Sequence, residues 1–147
     1  MLEYRVQAKW IDADGSAVNC KNADLLVDTS LGGRSDAFNP AELFLASIAA
    51  CMLKGIERVA PMVRFALRDV EISLSATRQD VPPRIVSVTY DIQIDSDESD
   101  QRLELLHTNI RKYGTIFNTV ADAVRLTGTL SRRPKASPSQ APQSPVQ

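Results

Sequence analysis

The chain has 147 residues, of which 44% are hydrophobic and 24% charged, and its formal net charge is −1. That length can bury one sizeable core, so a single domain is expected. No basic block accumulates beyond the short Arg132-Arg133 pair, which argues against a nucleic-acid or membrane-surface partner. The start, Met1-Leu2-Glu3-Tyr4-Arg5, lacks the charged-then-apolar pattern of a secretory leader. The longest charge-free apolar run, Leu43 to Leu53, is too short to cross a bilayer and reads as a buried helix. A cytoplasmic location is the resulting expectation. Two cysteines in such a chain point to catalysis, redox sensing or plain packing rather than a structural disulfide. With one histidine and no CxxC or His/Cys cluster, a zinc site is not expected.

In chain order, Leu2, Tyr4, Val6, Ala8 and Trp10 alternate with polar residues at the period of a strand with one buried face. Asp12-Ala13-Asp14-Gly15 is turn chemistry, and short strands over Ser16 to Cys20 and Leu25 to Asp28 complete a meander. Gly32 to Asp36 follows as a loop. A helix start comes next: Asn39 is a good N-cap, Pro40 suits the first helical position, and Glu42 can reach back to the cap backbone. From Ala41 to Val59 the only charges are Glu42, Lys54, Glu57 and Arg58, with Pro61 as the stop. A helix apolar on every side up to Leu53 must be surrounded by protein. One small sheet covers one side, so the pattern itself hints at a second subunit.

Val70, Ile72 and Leu74, then Val86, Val88, Tyr90, Ile92 and Ile94, mark two long strands expected to form an antiparallel hairpin. Ser99-Asp100 opens a second helix with a Leu103, Leu106, Ile110 and Tyr113 stripe, and Gly114 fits its C-terminal cap. A short helix near Asn118 to Ala123 and a last strand near Val124 to Leu130 follow. From Arg132 onward Pro, Ser and Gln dominate, so residues 132–147 are expected to form a disordered tail. The order of elements is an α+β pattern.

Cys51 carries the chemistry if any residue does. Its bland reading is a small hydrophobe in a core. Its functional reading rests on Lys54 and Arg58, which share a helical face with it, since positive charge favours a reactive thiolate; the same pair also reads as the solvated end of the helix. His107 falls beside the apolar stripe of its helix and reads as a boundary histidine rather than a base for Cys51. Asp95, Asp97, Glu98 and Asp100 read as a solvated acidic turn rather than a metal site.

The run Asn39-Pro40-Ala41-Glu42-Leu43-Phe44-Leu45-Ala46-Ser47-Ile48-Ala49-Ala50-Cys51-Met52-Leu53 resembles the OsmC/Ohr family, in which an Asn-Pro-Glu-x-Leu helix start leads into Ala-Ala-Cys. With the glycine-rich loop before it and the order of elements after it, the resemblance covers roughly residues 1 to 131. It implies an OsmC-like α+β fold of antiparallel sheets with a long buried central helix, in an intertwined homodimer with active sites at the subunit interface. It also implies a thiol peroxidase that needs no cofactor: Cys51 attacks an organic or hydrogen peroxide and becomes a sulfenic acid, and thiols restore it.

Two features depart from the family pattern. Gly114 stands where the family's resolving cysteine is expected, leaving Cys20 as the other thiol of the chain; it reads as plain packing, with resolution of Cys51 as the lesser alternative, so an external thiol is the expected reductant. Ala41 stands where the Ohr branch has a glutamate that holds the activating arginine. Glu42 is one step later, turned about 100° around the helix, and serves either that role or the capping box. Arg34, in the loop feeding the helix, is the expected activating arginine, with Arg5 as its rival. The competing reading is a non-catalytic dimer of the same fold that senses redox state or binds a small ligand.

Overall fold

The structure is a computed structural model that describes residues 1–135. The N-terminal meander consists of β1 (Gln7–Asp12), β2 (Gly15–Cys20) and β3 (Ala23–Val27), antiparallel in the order β1-β2-β3. β1 starts later than the alternation from Leu2 suggests. Leu2, Tyr4 and Val6 are all exposed, so their pattern has no face to bury within this chain. The sheet makes no extended packing contact with the helices or the second sheet, and Trp10 on its edge strand β1 is 69% exposed.

The helix α1 (Pro40–Met62) starts as the sequence dictates: Asn39 Oδ1 accepts from Glu42 N at 2.9 Å, and Glu42 Oε2 accepts from Asn39 N at 2.8 Å. This reciprocal capping box satisfies donors that the first turn leaves orphaned. Pro61 lies inside the last turn rather than ending it. The stop comes at Val63 and Arg64, whose left-handed φ of 52° lets Phe65 N return to Ala60 O at 2.8 Å. Arg102 donates to Val63 O and Arg64 O, supplying side-chain donors for carbonyls beyond the helix end.

Beyond α1 come β4 (Asp69–Gln79), β5 (Arg84–Asp95), α2 (Asp100–Tyr113), α3 (Thr115–Ala121) and β6 (Arg125–Arg132). β4 and β5 form the expected antiparallel hairpin, with Ile72 opposite Ile92 and Leu74 opposite Tyr90. β6 adds to β5 in parallel, so the second sheet is mixed. Alternation marks a strand but not its direction, and here α2 and α3 form the crossover that a parallel return requires. Gly128 is needed in β6, because a Cβ there would stand 2.2 Å from Tyr90 O. The strand continues to Arg132, and Arg133 just past its end still donates its backbone N to Ile94 O at 2.8 Å, so the expected tail is tied to β5 at its first two residues. The rest of the expected tail, 136–147, lies outside the described residues.

The core lies between this sheet and the helices. Val88, Tyr90, Ile92 and Ile94 from β5 meet Ile48, Met52, Ile56 and Val59 from α1 and Leu103, Leu106 and Ile110 from α2, all buried. At roughly 25 cal/mol per Å² of apolar surface, burial of such a set is the main stabilising term. Gly55 keeps α1 slim: its missing Cβ would sit 3.5 Å from Ile110 Cβ, so the two helices pack close. Only one side of α1 is covered in this way. Leu53 and Met62 remain exposed, and the all-round apolar character of the helix is not used up within one chain.

The acidic turn is built from arginine clamps. Arg68 pairs with Asp95 at 2.6 Å and Asp97 at 2.8 Å, Arg102 with Glu98 at 3.3 Å, and Arg132 with Asp100 at 3.1 Å. Hydrogen bonds from Arg68 hold the Asp95 and Asp97 carboxyls below their ordinary range. No group of three or more possible metal ligands occurs among the described residues.

Candidate active site around Cys51

Cys51 occupies the middle of α1, half-buried, with its thiol free. Gly114, the residue that joins α2 to α3, lies against the sulfur: a Cβ built there would stand 3.5 Å from Cys51 Sγ, 3.0 Å from Phe117 Cβ and 3.1 Å from Ile110 O. Its φ of −78° is open to any residue, so glycine is not required here by backbone conformation. What it allows is close packing, since a side chain there would press on Phe117 and the Ile110 carbonyl next to the thiol. The capping function expected of Gly114 is thus met by position, without the left-handed turn that favours glycine.

Behind Gly114 runs a buried aromatic and polar train. Phe117 meets Tyr90 edge-on at 6.3 Å, Tyr90 meets His107 edge-on at 5.7 Å, and the Tyr90 hydroxyl and His107 Nε2 share a 2.6 Å hydrogen bond. Burial pushes the His107 pKa down and that of Tyr90 up, so both are held neutral. His107 is a satisfied core residue rather than a boundary one. It lies seven residues before Gly114, roughly 10 Å along α2, and its hydrogen bond goes to Tyr90 and not toward the thiol.

Lys54 and Arg58 are exposed. Glu42 is engaged in the capping box. Cys20 ends β2 and donates its S–H to Arg5 O at 3.4 Å, on the sheet that stands clear of α1 and α2, so nothing brings it to Cys51 within the chain.

Arg34 is the most firmly held cation of the N-terminal region. Its Nε and Nη2 donate to the two oxygens of Asp36 at 2.8 and 2.9 Å, and its Nη1 donates to Asp14 O at 3.2 Å in the β1–β2 turn. Gly15 is glycine at this approach, since a Cβ there would meet Arg34 Nη1 at 3.0 Å. Hydrogen bonding to Asp36 raises the Arg34 pKa further, so the guanidinium stays charged. It lines an open cleft of about 420 Å³ with Ile11, Asp14, Leu26 and Ser30. Asp28, which sequence reasoning passed over as a strand end, organises this loop. It is buried, and its backbone N donates to Phe38 O at 2.9 Å, which sets the loop beside the start of α1. Cys51 lies twelve residues past the N-cap, roughly 18 Å along the helix. Within one chain, the fold therefore brings Gly114 to Cys51 and leaves Arg34 and Glu42 at the far end of α1.

The family model for OsmC-like protein matches residues 32–128, the segment from the glycine-rich loop through α1 to β6. The chain belongs to the OsmC-like family. No match is found among curated proteins. Among solved structures, the fold is similar to that of an OsmC-like protein from Mycoplasma pneumoniae, with TM-score 0.83, 14% identity, and coverage of 89% of this chain and 97% of that one. It is also similar to the organic hydroperoxide resistance protein OhrB of Bacillus subtilis, with TM-score 0.67, 18% identity and coverage of 88% and 98%. A third similar structure, described as an organic hydroperoxide resistance protein OsmC from Legionella pneumophila, has TM-score 0.63, 22% identity and coverage of 90% and 98%. The OsmC-like α+β architecture expected from the Asn39 to Leu53 run is thus the architecture found, with Cys51 on its central helix.

Proposed function

We propose that this OsmC-like protein is a one-cysteine thiol peroxidase of oxidative-stress defence, working in the cytoplasm as a homodimer. The observation that carries the reading is Cys51 at mid-helix, its thiol free, with Gly114 and no second cysteine packed against its sulfur. The names of the Bacillus and Legionella relatives, which concern resistance to organic hydroperoxides, support the choice of substrate. The exposed remaining face of α1 and the unpacked N-terminal sheet support the second subunit. No helix among the described residues is long and apolar enough to cross a membrane.

In the reaction, the Cys51 thiolate attacks one peroxide oxygen and the O–O bond breaks. Cys51 becomes a sulfenic acid, and the alkoxide or hydroxide leaves with a proton as alcohol or water. No cysteine stands at Gly114 to close a disulfide. An external thiol condenses with the sulfenic acid, releasing water and leaving a mixed disulfide, and a second thiol restores Cys51 while the two reductant thiols leave as a disulfide. Arg34 is the group that stabilises the thiolate, and it reaches a Cys51 only in the assembled dimer. Glu42 serves the site by fixing the start of the helix that carries Cys51.

Stopped-flow oxidation by cumene hydroperoxide and by hydrogen peroxide, following loss of free thiol in Cys20→Ser protein, tests this reading. Reaction of Cys51 much faster than free cysteine is expected; a rate no faster than free cysteine overturns it. The reading of a non-catalytic sensor or ligand-binding dimer is favoured by one specific observation, the engagement of Glu42 and Arg34 in contacts other than with Cys51. Multiple turnovers with a dithiol exclude it.

A further inference from the structure

We propose that Asp28 is the positioning residue for Arg34, the buried acid that turns a surface loop into a fixed mount for the guanidinium. This rests on the reading of Arg34 as the thiolate-stabilising group.

Loops with this composition ordinarily carry mobile side chains. The segment from Asp28 to Phe38 contains two glycines and two serines and has little regular structure, yet Arg34 within it is tied down at four points. Its backbone N donates to Asp28 Oδ2 at 2.8 Å, its Nε and Nη2 are forked by Asp36, and its Nη1 is held by Asp14 O. The side chain is 26% exposed, well below what an unanchored surface arginine would show.

Asp28 is the origin of this order. Only 5% of it is exposed, and its other oxygen, Oδ1, accepts from Ser30 N at 3.0 Å and Ser30 Oγ at 2.7 Å. Its own N closes the far end of the loop on Phe38 O. One carboxylate thus satisfies three donors and fixes both the turn after β3 and the residue that carries the guanidinium. The hydrogen bond from Ser30 Oγ, then that from Arg34 N, holds the Asp28 carboxyl below its ordinary range, so it is ionised throughout the working pH. Gly33, at φ 80°, supplies the left-handed step that aims Arg34 N at Asp28.

The arrangement has the form expected of a preorganised electrostatic group. A guanidinium has five N–H donors. Three are used by Asp36 and Asp14, which leaves one on each terminal nitrogen for a thiolate or a developing oxyanion. Fixed donors stabilise such charge without reorganising when it forms. Loss of that fixity by about 1 Å costs on the order of a hundredfold in rate at a working site.

The test is a double-mutant cycle of Asp28→Asn and Arg34→Ala in full-length Cys20→Ser protein, where Cys51 is the one thiol. Two quantities are read in each variant: the Cys51 pKa from alkylation rate against pH, and the rate of thiol loss with cumene hydroperoxide. D28N is expected to raise the thiol pKa and slow the reaction in the same direction as R34A, and to add nothing in the R34A background. Independent, additive effects, or a D28N protein with an unchanged thiol pKa, overturn the proposal. If R34A itself changes neither quantity, the thiolate role of Arg34 falls first and takes this inference with it. Ser30→Ala guards against a D28N chain that fails to fold. It removes the Ser30 Oγ bond to Asp28 and is expected to shift the pKa in the same direction by less; no shift overturns the proposal.

Discussion

The two sheets of this protein are built from similar alternating strands but meet opposite fates. The C-terminal one buries a full face: Val88, Tyr90, Ile92 and Ile94 disappear beneath α1 and α2. The N-terminal one keeps its backbone ladder and buries almost nothing, with Trp10, Ile11, Leu25 and Leu26 all exposed. Isolated small sheets are marginal in water, because backbone pairing alone does not offset the entropy of ordering the strands. The contrast marks the C-terminal region as a finished fold, whereas the N-terminal one, on the proposed dimer, is half of an interface. It also divides the candidate site, since Cys51 and Gly114 belong to the finished body while Arg34 is pinned to the unfinished sheet.

The largest test of that contrast is a cavity in the body. Ile92→Ala empties a position with no exposure at the centre of β5. It should cost about 3 to 4 kcal/mol, measured by chemical denaturation, and the cost should not depend on protein concentration. A loss under about 1 kcal/mol would show that the body is not a self-sufficient core.

A second test uses the buried pair behind Gly114. Burial lowers the His107 pKa from its ordinary 6.5, so the unfolded chain binds the proton more readily than the folded one. The stabilising preference for neutral His107 is therefore fully present above about pH 6.5 and is lost as pH falls below it. Unfolding of the wild type between pH 7.5 and 5 should show this decline, and His107→Gln should flatten it. An equally steep decline in the variant would place its origin elsewhere.

How much of this was legible in the sequence follows the same division. The body writes its elements in local terms: Asn39, Pro40 and Glu42 spell a capping box that the structure contains bond for bond, and β4 and β5 follow their alternation. The direction of β6 was not legible, because alternation is the same in parallel and antiparallel strands. The run from Leu2 to Val6 misled for a physical reason, since an apolar face predicts burial but not by which chain. At the site, the Asn39 to Cys51 run and Gly114 were found through their resemblance to the family, while the 3.5 Å contact between Cys51 and Gly114 needed α1 and α2 packed together. Asp28 was missed altogether. Its partners lie two, six and ten residues away in a loop, where no period marks a contact; the Asp-x-Ser spacing of Asp28 and Ser30, a turn signal, was the available sign.

A smaller effect comes from the helix start. Asn39→Ala removes the acceptor for Glu42 N and should cost about 1 kcal/mol in denaturant unfolding. Because the cap lies where the loop of Arg34 joins the helix of Cys51, the same variant also probes whether the two regions are mechanically linked. Unchanged stability would mean that water replaces the cap without loss.

The smallest expected effect is the most discriminating. Trp10→Ala alters a side chain that is 69% exposed in one chain, so at a concentration where the protein is a single chain it should change stability by no more than about 0.5 kcal/mol. If the N-terminal sheet is half of an interface, the same substitution becomes costly wherever two chains associate. The wild type should then show a Tm that rises with protein concentration, and Trp10→Ala should weaken that rise and shift the dimer to monomer in sedimentation. Ile92→Ala should lower stability at every concentration without this change in slope. A Trp10→Ala protein matching the wild type in both Tm and sedimentation at every concentration would break the comparison, leaving the sheet as an appendage and Arg34 with no route to a thiol.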